Sequence, residues 1–203
     1  MYDDSKAKII KMKIVCLGDS LTYGFMIRRS KVWTKLSEDK TGFEIINEGI
    51  SGDTSGGMLC RINNSVYDKK PQAVFIMGGV NDLITGADLG VVTSNIMSMT
   101  HQSLAKFIVP IIGVPPRFNI DNIQKNWAEF ADFNKVAEEL KKYHAWVLEF
   151  CKCFNIKYID FYKEFEKEAG TNFKNLFLDG LHPNEDGHEI MAEIFSRNIS
   201  NIK

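Results

Sequence analysis

Short apolar segments alternate along the chain with segments of helical spacing. The apolar segments, which are candidate strands, cover residues 13–18, 43–49, 73–79, 107–114 and 156–160. Strands that are apolar on both faces are typical of a parallel sheet covered by helices on each side. Alternation of such strands with helices predicts an α/β fold with a five-stranded, doubly wound parallel sheet, organised as a three-layer α/β/α sandwich.

The predicted helices show apolar residues three and four positions apart. They cover residues 32–40, 55–67, 91–106, 126–154 and 184–199. Gly42 follows the first of them and is a typical helix terminator. Because the chain contains no Pro/Gly/Ser-rich linker and no repeat, we predict one domain over residues 1–203, with residues 1–11 as an N-terminal extension.

The composition narrows the possible functions. The 203 residues carry a net charge of −1, which provides no basic surface for nucleic acid. No run approaches the ~18 apolar residues of a membrane span, and the first residues mix both charges without the apolar stretch of a signal peptide. Cys151 and Cys153 do not form a C-x-x-C motif, and Cys16 lies in an apolar run. We therefore expect reduced thiols and a cytoplasmic location.

Polar residues follow the predicted strands, where the active sites of doubly wound sheets lie. Residues 18–20 follow the first strand, residues 49–54 the second and residues 78–82 the third. Each of these segments could be an ordinary turn without a functional role, because Gly, Asp, Ser and Asn are the commonest residues in turns. Asp179 precedes His182 in a loop before the last helix. At that spacing the carboxylate can accept from Nδ1–H and leave Nε2 facing a serine.

Four short blocks resemble the SGNH hydrolase family, also called GDSL esterases and lipases. Ser20 stands in GDSLTYG, Gly52 in ISGDT, Asn81 in GGVND, and Asp179 and His182 in DGLHPN, in the family's order. The resemblance implies a flavodoxin-like topology and ester hydrolysis, with Ser20 as nucleophile, His182 as base and Asp179 as its orienting partner. It also implies an oxyanion hole formed by the backbone N–H groups of Ser20 and Gly52 and the side-chain amide of Asn81.

The same resemblance bears on the substrate. The SGDT block is most similar to the small bacterial thioesterase, lysophospholipase and arylesterase branch. We expect a small-molecule ester substrate, no cofactor and no metal ion. The family's open sites favour short acyl groups, from acetyl to about hexanoyl, because each methylene adds only ~0.8 kcal/mol when it is fully buried. A lysophospholipase or an acyl thioesterase with the same machinery is an alternative.

Two other classes of protein would also place their functional residues at these strand ends. A metal phosphoesterase would bind metal through Asp19, Asp53, Asp82, Asp179 and His182, although two-metal sites normally need more ligands. A non-catalytic flavodoxin-like module would hold an anion near helix N-termini and would not need an Asp–His pair. Hydrolysis of p-nitrophenyl acetate with and without EDTA separates the three classes. The serine hydrolase works in both conditions, the metal enzyme only without EDTA, and the binding module in neither.

Several nearby residues have a structural interpretation. We expect Asp19 to be a hydrogen-bonding partner near the serine, and Asp53 and Asp82 to tie down their loops. Helical spacing places three aromatic residues in the core rather than in a substrate wall, namely Trp127, Phe130 and Phe133. Residues 113–126 are long for a loop, and long loops are often functional. This segment is therefore expected to border the acyl site.

Overall fold

The protein contains the predicted five-stranded parallel sheet. The computed structural model describes residues 11–200, so the prediction of an extension over residues 1–11 lies almost wholly outside the described residues. The strands are β1 (Lys13–Gly18), β2 (Glu44–Gly49), β3 (Ala73–Met77), β4 (Val109–Val114) and β5 (Lys157–Asp160). All neighbouring strands are parallel, in the order β2-β1-β3-β4-β5. This order is that of flavodoxin-like sheets, so the predicted topology is confirmed.

Helices cover both faces of the sheet. The α-helices within residues 11–200 are α1 (Ser20–Tyr23), α2 (Trp33–Thr41), α3 (Ser55–Ser65), α4 (Val80–Ile84), α5 (Leu89–Ala105), α6 (Lys125–Phe130), α7 (Phe133–Phe154), α8 (Phe161–Ala169) and α9 (Glu185–Ile199). One core cluster joins the sheet to α3, α4, α5 and α7, and the other joins it to α2, α8 and α9. The predicted three-layer sandwich is therefore confirmed.

The central strands are buried on both faces. Val15 and Leu17 of β1 pack into the core cluster on the α3 side, whereas Ile14 and Cys16 pack into the cluster on the α2 side. All four side chains are fully buried. Because successive strand side chains point to opposite faces, a strand buried in this way has to be apolar throughout.

The short helices α1 and α4 were not predicted, and the longer helices differ from the prediction at two places. The long helix predicted over residues 126–154 is divided into α6 and α7, because the side chain of Asp132 caps α7 by accepting from the backbone N–H groups of Asn134 and Lys135. The nine-residue helix α8 was not predicted, although Phe161 and Phe165 give it one buried face. No helix within residues 11–200 is long and apolar enough to cross a membrane.

Candidate active site

Ser20 lies where β1 turns into a short helix at the carboxyl edge of the sheet. Its predecessor Asp19 caps this helix, since a carboxylate oxygen accepts from the backbone N–H of Leu21 at 2.9 Å. A Cβ at Gly18 would lie 2.6 Å from the carbonyl oxygen of Met77, so only glycine fits at the end of the strand. The turn places the Ser20 hydroxyl next to the cavity described below.

The Asp179–His182 segment folds into a tight turn around the carboxylate. Oδ1 of Asp179 accepts from the backbone N–H groups of Leu181 and His182 at 3.0 and 2.8 Å. Gly180 has a φ of +86°, and a Cβ there would lie 2.6 Å from the backbone of Asn122. A glycine is required in this turn because the backbone is left-handed and a neighbouring segment packs against it.

The structure brings Ser20, His182 and Asp179 together. Ser20 Oγ and His182 Nε2 are 2.9 Å apart, and His182 Nδ1 and Asp179 Oδ2 are 2.7 Å apart. Burial alone would raise the pKa of Asp179, but hydrogen bonds from the ring and backbone of His182 outweigh it and lower that pKa. Asp179 is therefore a carboxylate that accepts from Nδ1–H, which leaves Nε2 able to accept the serine proton.

Gly52 and Asn81 follow the ends of β2 and β3 and line the same cavity as Ser20. Gly52 has a φ of +81°, and a Cβ there would meet no atom within 4 Å, so the residue faces open space. Nδ2 of Asn81 donates to the carbonyl oxygen of Asp53 at 2.8 Å. An amide nitrogen carries two hydrogens, so one N–H of Asn81 stays available to a substrate oxygen.

The aspartates after the strands hold the loops, as expected. Asp82 accepts from the backbone N–H and the hydroxyl of Ser55 at 2.8 and 2.5 Å. Asp53 forms an ion pair with Arg61, with Oδ2 and Nε 2.8 Å apart. Burial raises the pKa of Asp19 to about 7, although the hydrogen bond from Leu21 opposes that rise.

The metal-site hypothesis does not fit these partners. The carboxylates it required are engaged by backbone groups, a serine, an arginine and a histidine. Within residues 11–200, no group of three or more His, Cys, Asp or Glu residues is arranged to hold a metal ion.

A cavity of about 450 Å³ opens over Ser20. It is lined by Ser20, Phe25, Met26, Ser51, Gly52, Asn81, Gln124, Trp127, Leu178, Asp179, Leu181 and His182. The expectation that residues 113–126 border the site is met at Gln124, whereas Arg117 and Phe118 line a different cavity.

The three aromatic residues assigned to the core have different positions. Phe133 is buried, as predicted, but Phe130 is 64% exposed, so that prediction is wrong. Trp127 packs partly against the core and also lines the cavity, so it is a wall residue that sequence reasoning missed. The break between α6 and α7 accounts for both differences, because Trp127 and Phe130 lie in α6, which has no fully buried residue, and not in α7, which has a buried face.

Comparison with known families agrees with this geometry. The family described as GDSL-like lipase/acylhydrolase matches residues 16–190. The chain belongs to this family. Its membership identifies the chain as an ester hydrolase, and the matched residues contain every block on which the resemblance was based.

Individual GDSL-family proteins match over most of their length. An arylesterase of Vibrio mimicus is 28% identical over 205 residues, which cover 96% of this chain and 92% of that protein. Thioesterase 1/protease 1/lysophospholipase L1 of Escherichia coli K12 is 25% identical and covers 92% of this chain and 82% of its own length. The crystal structure of a lipase/acylhydrolase from Enterococcus faecalis superimposes with a TM-score of 0.75 at 26% identity, covering 93% of this chain and 95% of that one.

Proposed function

We propose that the chain hydrolyses carboxylic esters of short acyl groups through an acyl-enzyme on Ser20. The observation that carries the proposal is the continuous hydrogen-bonded line from Ser20 Oγ to His182 Nε2, at 2.9 Å, and from His182 Nδ1 to Asp179 Oδ2, at 2.7 Å. A serine hydroxyl is a weak nucleophile and needs a base within this distance.

Each step follows from that arrangement. His182 Nε2 takes the hydroxyl proton as Ser20 Oγ attacks the ester carbon, and the imidazolium then gives this proton to the departing alkoxide oxygen. Water enters and loses its proton to the same nitrogen, and its oxygen bonds to the acyl carbon. The C–O bond to Ser20 breaks, and the proton returns to Oγ as the acid leaves. Asp179 stabilises the imidazolium in both halves of the cycle.

The oxyanion formed in both halves needs donors that are already in place. We assign this role to the backbone N–H groups of Ser20 and Gly52 and to Nδ2 of Asn81. The open space in front of Gly52 lets a substrate oxygen approach, and the hydrogen bond from Asn81 to Asp53 fixes the amide plane. Donors held in this way stabilise charge without reorganising during the reaction.

The shape and polarity of the cavity support a small, uncharged substrate. Most of the wall surface is apolar, although polar side chains also line the cavity, and none of the described residues that line it is Lys or Arg. Met26 is 78% exposed and Leu178 is 45% exposed, so the walls are open to solvent. An acyl chain can therefore bury only its first few methylenes.

A cytoplasmic location completes the proposal. Its support is the cysteine content: Cys16, Cys60, Cys151 and Cys153 are all free thiols, and unpaired cysteines are typical of reducing compartments. Cell fractionation with an antibody against the chain tests it, and recovery in an extracytoplasmic fraction would contradict it.

The nucleophile is tested with Ser20→Ala. We expect hydrolysis of p-nitrophenyl acetate to fall to background while the circular dichroism spectrum stays unchanged. Ser196→Ala, which removes a buried hydroxyl outside the cavity, is the matched control and should keep wild-type kcat. Activity of the wild type should be the same with and without EDTA. A Ser20→Ala variant that is folded and active would remove Ser20 as nucleophile.

The substrate class is tested with p-nitrophenyl esters of increasing acyl length, kept below micelle formation. A fully buried methylene contributes ~0.8 kcal/mol, or about a fourfold rise in kcat/KM. We expect smaller steps than this, ending near hexanoyl. A steady climb to dodecanoyl would contradict the short-acyl proposal and favour a lysophospholipase or a long-chain thioesterase.

A further inference from the structure

We propose that Arg61 is a positioning residue that holds together the three chain segments supplying the oxyanion hole. This inference rests on the proposed function, because it assumes that Ser20, Gly52 and Asn81 are the oxyanion donors. Arg61 lies in α3 and does not line the cavity. Its effect is therefore transmitted through the backbone rather than by contact with substrate.

The guanidinium group of Arg61 uses all three of its nitrogens. Nη2 donates to the carbonyl oxygens of Gly18 and Glu48 at 3.0 and 2.9 Å. Nε donates to Oδ2 of Asp53 at 2.8 Å, and Nη1 donates to Oγ of Ser65 at 3.0 Å. The side chain is only 17% exposed. Because the guanidinium is planar and its donors have fixed directions, these acceptors are held in fixed relative positions.

The acceptors are adjacent to the oxyanion donors. Gly18 ends β1 and leads into the turn that carries Ser20. Asp53 follows Gly52 directly, and its carbonyl oxygen accepts from Nδ2 of Asn81 at 2.8 Å. One side chain thus links the segments after β1 and β2 directly, and links the segment after β3 through Asp53.

Two adjacent glycines in α3 show how closely the Asp53 carboxylate packs on this helix. A Cβ at Gly57 would collide with Oδ1 of Asp53. A Cβ at Gly56 would meet nothing closer than 3.7 Å. Gly57→Ala, but not Gly56→Ala, should therefore displace the carboxylate from Arg61.

Loosening this link should slow the chemical step rather than weaken substrate binding. Oxyanion donors act mainly where charge develops in the transition state, and complete loss of one donor lowers kcat by roughly 10²–10³-fold. A displaced donor keeps part of its effect. We therefore expect kcat to fall at least about tenfold, with KM little changed.

The first test is Arg61→Lys, which keeps the charge but replaces the planar group by a single nitrogen. Its matched control is Arg197→Lys, since Arg197 of α9 pairs with Glu164 and Glu168 of α8, away from the cavity. Both variants are assayed well below their melting temperatures. We expect kcat to fall at least about tenfold in Arg61→Lys only. A kcat within about twofold of wild type in folded Arg61→Lys would overturn the proposal.

The second test leaves Arg61 in place. Alanine is a better helix former than glycine by up to about 1 kcal/mol, so neither Gly57→Ala nor Gly56→Ala carries a penalty from propensity. Gly57→Ala should lower kcat, whereas Gly56→Ala should not. Equal kcat values in the two variants would show that the position of the Asp53 carboxylate does not affect the oxyanion hole.

A double-mutant cycle with Asn81→Ala separates positioning from a general structural role. If Arg61 acts through the oxyanion donors, Arg61→Lys should cost less in the Asn81→Ala background than in wild type. An equal loss in both backgrounds would overturn the proposal. Ser20→Ala is assayed in parallel. Activity in Ser20→Ala would refute the proposed function itself, whereas an inactive Ser20→Ala beside an unaffected Arg61→Lys would refute only the inference about Arg61.

Discussion

Acid should destabilise the fold through one buried histidine outside the cavity. His188 of α9 is 1% exposed, and its Nδ1 accepts from the backbone N–H of Trp33 at 3.2 Å. Burial, aided by the nearby charges of Arg29 and His182, lowers the pKa of His188 from 6.5 to about 4. Protonation of Nδ1 would also remove the acceptor of the Trp33 N–H.

The direction and size of the effect follow from that depressed pKa. Between about pH 6.5 and about pH 4 the unfolded chain binds a proton at His188 and the folded chain does not, so stability falls as the pH falls through this window. At ~1.36 kcal/mol per pKa unit, a shift from 6.5 to about 4 removes roughly 3 kcal/mol of unfolding free energy. This is a large fraction of the ~5–15 kcal/mol of a typical domain.

Other groups titrate in the same range, so a variant is needed to isolate His188. The raised pKa of Asp19 acts in the opposite direction, since the folded chain binds that proton more tightly. His188→Gln offers the Trp33 N–H a carbonyl acceptor and cannot be protonated. His101→Gln is the matched control, because His101 is exposed on α5.

Urea unfolding of the three proteins from about pH 7 to about pH 4.5 measures the difference. Wild type and His101→Gln should each lose roughly 2–3 kcal/mol more than His188→Gln over this range. The stability of His188→Gln relative to wild type and to His101→Gln should therefore rise by this amount between neutral pH and acid. A stability gap between wild type and His188→Gln that stays constant, within about 0.5 kcal/mol, would refute the assignment of a buried neutral His188.

Three further variants test the site and the core. Asn81→Ala should lower kcat by roughly 10²–10³-fold with little change in KM, since it removes a proposed oxyanion donor. A raised KM at constant kcat in steady-state assays would make Asn81 a ground-state binding residue. Asp179→Asn should lower kcat by roughly 10⁴-fold, because an amide favours the wrong histidine tautomer; near-normal turnover in the folded variant would contradict the role of Asp179. The Tyr143 hydroxyl is buried without a hydrogen-bond partner in residues 11–200. Because a buried unpaired hydroxyl destabilises the folded state, Tyr143→Phe should raise the melting temperature. A lower melting temperature would count against an unpaired hydroxyl.

The position of the site could be predicted because parallel topology leaves little choice. Once Ser20, Gly52 and Asn81 are assigned to the ends of successive parallel strands, they must lie at one edge of the sheet. The pairing of Asp179 with His182 is set within one turn, so local spacing was sufficient there. The predicted placement agrees with the structure where a residue's position depends on the strand or turn that carries it.

Arg61 and Trp127 could not be predicted in the same way. Arg61 interacts with the carbonyl oxygens of Gly18 and Glu48, which every residue type carries, so no sequence pattern marks those partners. Trp127 has helical spacing with its neighbours, and only the cap at Asp132 separates its turn from α7. In both cases the contact depends on how segments distant in the sequence pack together. The spacing of apolar residues along the sequence carries no information about that packing.

The site therefore divides into a rigid part and an open part with different consequences for mutation. The proposed catalytic and oxyanion residues are held by buried strands, by the hydrogen bonds of Arg61 and by the Asp82–Ser55 contacts. The walls include side chains as exposed as Met26, which have few neighbours to disturb. Substitutions in the walls should change the preference among esters at little cost in stability, because little packing is lost. Substitutions that loosen the rigid part should lower kcat for every ester alike, because the same oxyanion forms whatever acyl group is bound.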